Sequence, residues 1–314
     1  MSLLSRRKLL ASLAATSLDS LAAPTGAVLV HEHILVDFAG AATVSRSSYR
    51  RDEVFRIALP QLEALKQHGC VRLHECTPNF VGRDPVLLAR LQEASGIELW
   101  TNTGLYAAGN FIFLPEYAHK ENARQLARRW VREAREGVEG MKPRFIKIGV
   151  DRGPLPPLSR KIVTAAAYAS RETGLPVCAH TGDGLAAREQ LDILVRHKVE
   201  PSKFVWVHAQ NERDFGVHEK MARDGAWVEF DGISPQGLDW HLRCVRNLAR
   251  KGLLASHADL PRRRRYHVGE PRGGRFRGWR SVPPPGLHSI ASKAAIVSMP
   301  AHRFTSRRFS LWEC

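Results

Sequence analysis

The segment Val28-Leu29-Val30-His31-Glu32-His33-Ile34-Leu35 places two imidazoles one residue apart inside an apolar run. If the run is a strand, residues i and i+2 point to one face, so His31 and His33 lie about 6 to 7 Å apart and can grip one metal ion. Two core histidines bonded to the backbone are the bland alternative for an isolated His-x-His. Downstream, Arg144-Phe145-Ile146-Lys147-Ile148-Gly149-Val150 carries a lysine in the middle of an apolar strand, where an ammonium is costly unless paired or neutralised. Pro176-Val177-Cys178-Ala179-His180-Thr181-Gly182 and Phe204-Val205-Trp206-Val207-His208-Ala209-Gln210 each end an apolar run on a histidine just before the chain turns. A further run, Gly252-Leu253-Leu254-Ala255-Ser256-His257-Ala258-Asp259, closes on a carboxylate. Imidazole and carboxylate are the donor types of divalent metal sites.

Strand ends scattered over more than 200 residues need a fold that gathers them. Strand-like runs near 27–34, 71–77, 98–105, 145–150, 176–181, 204–209, 227–232 and 253–258 are separated by stretches long enough for a helix. Val54 to Gln67, Ala123 to Gly137, Ser159 to Thr173 and Leu238 to Lys251 have helical patterning. Length alone allows either two average domains or one large barrel at 314 residues. Eight β units, seven of them followed by a helix, predict an α/β fold with a single (β/α)8 TIM barrel. Active sites in such barrels form at the carboxyl ends of the strands, so the five ligand-bearing strands would converge on one mouth. The five cysteines, Cys70, Cys76, Cys178, Cys244 and Cys314, lack Cys-x-x-Cys spacing. Neither a disulfide framework nor a zinc-thiolate site is expected.

Taken together, the order, spacing and types of these residues resemble the phosphotriesterase-like branch of the amidohydrolase superfamily. Its members carry His-x-His on strand 1, a metal-bridging carboxylated lysine on strand 4, single histidines on strands 5 and 6, and an aspartate on strand 8. Those positions match His31, His33, Lys147, His180, His208 and Asp259. Flanking words are also similar: Asp37, Cys76-Thr77-Pro78, Gly82-Arg83-Asp84, His180-Thr181-Gly182-Asp183-Gly184 and Tyr266-His267-Val268-Gly269-Glu270-Pro271. The likeness covers residues 27 to 273.

The resemblance implies two divalent ions, with zinc best suited to the ligands and manganese, cobalt or iron as other options. His31, His33 and Asp259 would hold one ion and His180 and His208 the other, bridged by carboxylated Lys147. Carboxylation turns a buried cation into an anion, which removes the electrostatic objection to Lys147. Water bridging two such ions is deprotonated near neutral pH and serves as the nucleophile. By the same resemblance Asp259 is the catalytic base and Tyr106 lies against the substrate. The implied reaction is hydrolysis of a lactone, carboxylic ester or phosphotriester, of the aryldialkylphosphatase or lactonase type. The implied partner is therefore a small-molecule ester, lactone or organophosphate, and a homodimer is left open. His74 and His257 read as structural, Trp206 and Trp227 as packing, and Asp231 as a cap on the turn after strand 7 in preference to the alternative, a residue lining the mouth.

The charge is regional. The net charge is +16, and residues 251 to 314 hold 13 Lys/Arg against 3 Asp/Glu, a local excess of +10. The barrel proper is only mildly basic, so no nucleic-acid partner is expected; the alternative of anionic-surface binding through the Arg-rich tail predicts a steep salt dependence. At the other end, Ser5-Arg6-Arg7-Lys8-Leu9-Leu10 and the Ala-, Leu- and Ser-rich run to Ala23 look like a twin-arginine export signal. Residues 1–23 are accordingly read as a signal peptide and the location as periplasmic, with a basic N-terminus on a cytoplasmic enzyme as the alternative. No segment reads as a membrane span. The barrel is placed at 27–280, and 281–314 forms an atypical basic Pro/Arg-rich segment in which Ser289 to Ser298 is the candidate remnant helix.

After strand 8 the family word is disturbed, with Ala258-Asp259-Leu260-Pro261 and four arginines before Tyr266. This displaces the strand-8 aspartate by one residue and makes the last β/α unit atypical. The departure supports a second expectation beside the hydrolase: a catalytically impaired barrel with a weakened metal site.

Overall fold

The β units form where apolar and β-branched residues run together, and glycine or polar turns stop them. The structure, a computed structural model, describes residues 26–254 apart from Pro235, together with the backbone at Ala258–Asp259, Tyr266–His267 and Ala295–Ile296. β1 (Ala27–Glu32) is followed by the two-residue β2 (Leu35–Val36), then by β3 (Cys70–Glu75) and β4 (Glu98–Trp100). β1, β3 and β4 make a parallel sheet of three. β5 (Asn102–Thr103), β6 (Phe145–Val150), β7 (Val177–Thr181), β8 (Phe204–Val207) and β9 (Trp227–Val228) make a parallel sheet of five. Thr101 alone separates β4 from β5, so both sheets belong to one succession, broken inside the third barrel strand.

Each step between barrel strands carries a helix: Arg51–Gln67, Pro85–Ser95, Ala123–Glu136, Pro157–Thr173, Gly184–Arg196, Phe215–Arg223 and Leu238–Arg250. The start of the fifth is fixed beside the site. The Asp183 carboxylate accepts the backbone N–H of Ala186, so the helix begins three residues after β7 ends near His180. Along Ala123–Glu136, Leu126, Ala127, Trp130 and Val131 form the buried stripe and the arginines face outward.

Strand alternation separates two cores. Trp206 and Ile146 point outward into the layer beneath the helices. Cys76, Trp100, Phe145, Cys178, Val205, Val207 and Trp227 pack together on the opposite, inner side. Both tryptophans singled out in the sequence, Trp206 and Trp227, are packing residues. Among the described residues Cys70, Cys76, Cys178 and Cys244 are buried.

The C-terminal part departs from expectation in two respects. The eighth strand is expected at 253–258, yet Leu253 and Leu254 are in no strand and the strand is β10 (Ala258–Asp259), beside β1 where the last strand of a barrel belongs. Its pairing is antiparallel, with β12 (Ala295–Ile296), so these two residues of the expected remnant helix are strand instead; β-branched Ile296 and Val297 favour that state. β11 (Tyr266–His267) pairs parallel with β2. Among the described residues no pairing joins β10 to β9. The expected signal peptide lies outside the described residues, as does the 281–314 segment apart from Ala295–Ile296. No helix among the described residues is long and apolar enough to cross a membrane.

Candidate metal centre

β1 and β6 meet across the barrel through two side chains. Lys147 sits in the middle of β6 with 1% of its surface exposed, and its Nζ lies 3.2 Å from Nε2 of His31 on β1. Phe145 precedes Lys147 by two residues on the same face, so the lysine caps the apolar inner core. The His31 ring is 5.2 Å from that of His33 and 5.0 Å from that of His208. The His208 ring is 4.6 Å from that of His180 on β7, and His180 is 5.1 Å from the ring of Tyr106. The structure thus gathers His31, His33, Lys147, His180, His208 and Tyr106 at one end of the strands. Asp259 lies on β10 beside β1; its side chain and His257 fall outside the described residues.

Local backbone geometry shapes this cluster. β1 ends at Glu32, and its register with β3 shifts between Leu29 and Glu32, so His33 leaves the strand and reaches back toward β3. His208 follows β8 in the left-handed region, with φ 68° and ψ 35°, a conformation costly for a non-glycine residue and concentrated at functional sites. Tyr106 crosses β6 at Gly149, where a Cβ would stand 2.4 Å from the tyrosine ring. Gly104, at φ +117°, has its Cα where a Cβ would meet the Lys147 carbonyl oxygen at 2.2 Å, so β5 can lie this close to the lysine's backbone only with glycine there.

Outer groups approach Nδ1 of His33, His208 and His31. The Nδ1 of His33 lies 2.8 Å from the Thr77 hydroxyl, which is 2.5 Å from Oε1 of Glu75 and 2.9 Å from the Leu35 carbonyl. His208 Nδ1 lies 2.6 Å from Oδ1 of Asp231, and His31 Nδ1 lies 3.1 Å from Oδ2 of the same carboxylate and 3.7 Å from Glu229. With Nδ1 turned outward, Nε2 is the nitrogen each ring can offer to a metal, and for His31 that nitrogen faces Lys147. The donor set therefore fits a divalent ion. Burial pushes the Glu75 carboxyl up to about 7, against bonds from Thr77 and the Ile34 backbone that hold it down.

Sequence reasoning assigned Asp231 to a turn; its carboxylate instead joins His31, His208 and the Gln210 amide, which donates to Oδ1 at 2.7 Å. Glu75, Thr77 and Glu229 were also missed. Alternation was the available signal for Glu229 and Asp231, which stand two residues apart just beyond β9 and both approach His31 Nδ1. His74 is structural, fully buried and stacked on Trp100 at 4.5 Å, with burial holding its pKa well below the ordinary value.

A parallel α/β barrel gathering imidazoles and a buried lysine at its strand ends is the architecture of a barrel hydrolase. This chain belongs to the phosphotriesterase family, whose model matches residues 14–259. It is 29% identical over 213 residues to the phosphotriesterase homology protein of Escherichia coli, covering 67% of this chain and 71% of that protein. A crystal structure of that E. coli protein with phosphate in its active site superposes with a TM-score of 0.64 at 27% identity, covering 73% of this chain and 79% of the other. The chain is 30% identical over 223 residues to an aryldialkylphosphatase of Saccharolobus solfataricus, covering 69% of this chain and 68% of that one. At 24% identity over 190 residues it matches a phospho-furanose lactonase of Mycoplasmopsis agalactiae, covering 56% and 54% respectively. The family is one of hydrolases acting on small-molecule substrates.

Proposed function

We propose that this chain is a binuclear metal-dependent hydrolase that cleaves a lactone, carboxylic ester or phosphotriester. The observation that carries the reading is the contact between β1 and β6: Lys147 Nζ lies 3.2 Å from His31 Nε2, ringed by His33, His208 and His180. Carboxylation of the buried Lys147 would make it an anionic ligand. In this reading His31, His33 and Asp259 hold one ion, His180 and His208 the other, and carboxylated Lys147 both. When bound, a pair of divalent ions, zinc by preference, lowers the pKa of water and polarises the scissile carbonyl or phosphoryl group.

The chain's own residues do the rest. His31, His208 and Lys147 are buried, whereas His33, His180 and Tyr106 are half-buried, so substrate approaches from the latter side. Tyr106, edge-on to Phe113 with ring centroids 5.6 Å apart, offers an apolar wall to the leaving or acyl group. Asp259 is the proposed proton acceptor. The relatives named aryldialkylphosphatase and phospho-furanose lactonase support the substrate classes.

The test is elemental analysis of the full chain, purified from cells grown with zinc and bicarbonate, followed by a screen of aryl phosphotriesters, aryl esters and lactones. About two ions per chain is expected, with activity abolished by chelator and restored by metal. One ion or none, or turnover that survives chelation, overturns the reading.

A further inference from the structure

We propose that Asp231 is a positioning residue that clamps one imidazole from each of the two metal subsites, holding His31 and His208 as Nδ1–H tautomers with a single carboxylate. This rests on the binuclear reading above, although its first test does not.

Asp231 is 3% exposed, and its two oxygens divide the work. Oδ1 takes His208 Nδ1 in a hydrogen bond of 2.6 Å, and Oδ2 lies 3.1 Å from His31 Nδ1 without hydrogen-bond alignment. Asp231 is itself fixed at its carboxylate, its backbone N–H and its carbonyl. Gln210 donates to Oδ1 at 2.7 Å, its own Oε1 accepts the Asp231 N–H at 3.2 Å, and His241 Nε2 lies 2.8 Å from the Asp231 carbonyl. A carboxylate only accepts, so His208 must place its proton on Nδ1, and His31 must do the same to close a bond across its 3.1 Å contact with Oδ2. The other side of His31 agrees, because Lys147 Nζ can donate to an Nε2 that carries a lone pair.

A direct ligand role fits less well. Donor atoms of His31, His208 and Asp231 lie within 4.8 Å of one another, close enough to consider one ion among them. Two ligands of one tetrahedral zinc are held about 3.3 Å apart by bonds near 2 Å. The 2.6 Å between His208 Nδ1 and Asp231 Oδ1 is instead the length of a charge-assisted hydrogen bond. The clamp also explains why His208 can persist at φ 68° beyond β8: its ring is bonded to Asp231, just past the end of β9.

Asparagine at this position keeps one accepting oxygen and turns an amide N–H toward the second imidazole. That imidazole must move its proton to Nε2 and so lose the lone pair it would give a metal. The experiment uses the full-length chain labelled with 15N-histidine. In the metal-free wild type, long-range 1H–15N correlation should show His31 and His208 as Nδ1–H tautomers, assigned with His31→Gln and His208→Gln. In Asp231→Asn at least one should become Nε2–H, whereas Glu229→Gln, 3.7 Å from His31, should leave both unchanged. Either wild-type ring found as Nε2–H overturns the clamp, even if Asp231→Asn fails to fold. Chelator competition then reads the metals: Asp231→Asn should weaken both ions by about 10- to 100-fold. Unchanged affinity in a folded Asp231→Asn overturns the clamp and leaves the binuclear reading standing. Wild type that holds no metal overturns the binuclear reading, while the tautomers still decide whether the clamp exists.

Discussion

Replacing Thr77 with valine removes one oxygen from a fully buried relay without leaving a cavity. Three groups lose a partner: His33 Nδ1 at 2.8 Å, Glu75 Oε1 at 2.5 Å and the Leu35 carbonyl at 2.9 Å. Each orphaned buried group costs about 1 to 3 kcal/mol. The sum overstates the loss, because Glu75 keeps the backbone N–H groups of Ile34 and Thr77 and half-buried His33 can recruit water. A destabilisation of about 2 to 3 kcal/mol is expected, or roughly 4 to 12 °C in Tm for a barrel of this size. The metal effect should be selective. His33 serves one proposed ion, so that ion alone should weaken, by about 10- to 100-fold, and chelator release should become biphasic. Thr77→Ser keeps the hydroxyl and should retain both metals. Scanning calorimetry of the metal-free chain and stopped-flow release of zinc to a chromophoric chelator read the two effects. The reasoning fails if Thr77→Val releases zinc as the wild type does with unchanged Tm. It also fails if Thr77→Ser is as damaging, since methyl packing would then be the cause.

Three further outcomes follow from the same geometry. The folded chain holds the Glu75 proton to about pH 7 while the unfolded chain releases it near 4.5. Stability of the metal-free chain should therefore fall by about 1.4 kcal/mol per pH unit between those values, on the order of 3 kcal/mol in all. Denaturant titrations from pH 4 to 8 should show this slope in the wild type and not in Glu75→Gln; parallel profiles would rule it out. Gly104→Ala drives a Cβ into the Lys147 carbonyl at φ +117° and should cost at least about 3 kcal/mol. Gly140→Ala, with φ +85° and nothing within 4 Å, should cost only about 1 kcal/mol, so equal melting shifts would refute the packing argument. Arg83 is buried, donating to Glu133 at 2.8 Å and to the Asn102 carbonyl at 2.7 Å. Arg83→Met should cost about 2 to 4 kcal/mol, toward the lower end because Glu133 reaches solvent, and a loss below 1 kcal/mol by urea unfolding would show that the pair contributes little.

The features legible in the sequence share a physical cause. His31, Lys147, His180 and His208 each interrupt or end an apolar run, and a polar side chain there must find a purpose inside the barrel. Seven β units and their helices could be read because the hydrophobic period changes at each boundary. Asp231 was hidden by its surroundings. Its strand is only Trp227–Val228, and Phe-Asp-Gly before a loop has the form of a capped turn. What decides its role is His31, 200 positions earlier, and no local pattern carries that pairing. Thr77 was read only as part of a family word, although its hydroxyl is the group that reaches His33. The third barrel strand looked continuous from 98 to 105, whereas the chain breaks at Thr101 and Asn102 turns its amide to the carbonyls of Glu75 and Thr77. A side-chain bond substitutes there for the sheet ladder, a trade that composition does not reveal.

The outer partners also bear on the disturbed C-terminal part. His33 is anchored by Thr77 and Glu75 beside β3; His208 is anchored by Asp231 after β9, whose second oxygen lies 3.1 Å from His31. Asp231 in turn is held by Gln210 and His241. All of these residues lie between positions 31 and 241, before the Arg-rich stretch begins. Residues that follow β3 and β9 therefore approach the two histidines at the end of β1, one through the hydroxyl relay and one through the carboxylate. Orientation of the imidazoles is built into the first seven β/α units, while completion of the ligand set depends on Asp259 in the eighth. Altering the eighth unit should then change how many ions the chain retains before it changes how the imidazoles face them, which separates loss of a ligand from loss of the scaffold.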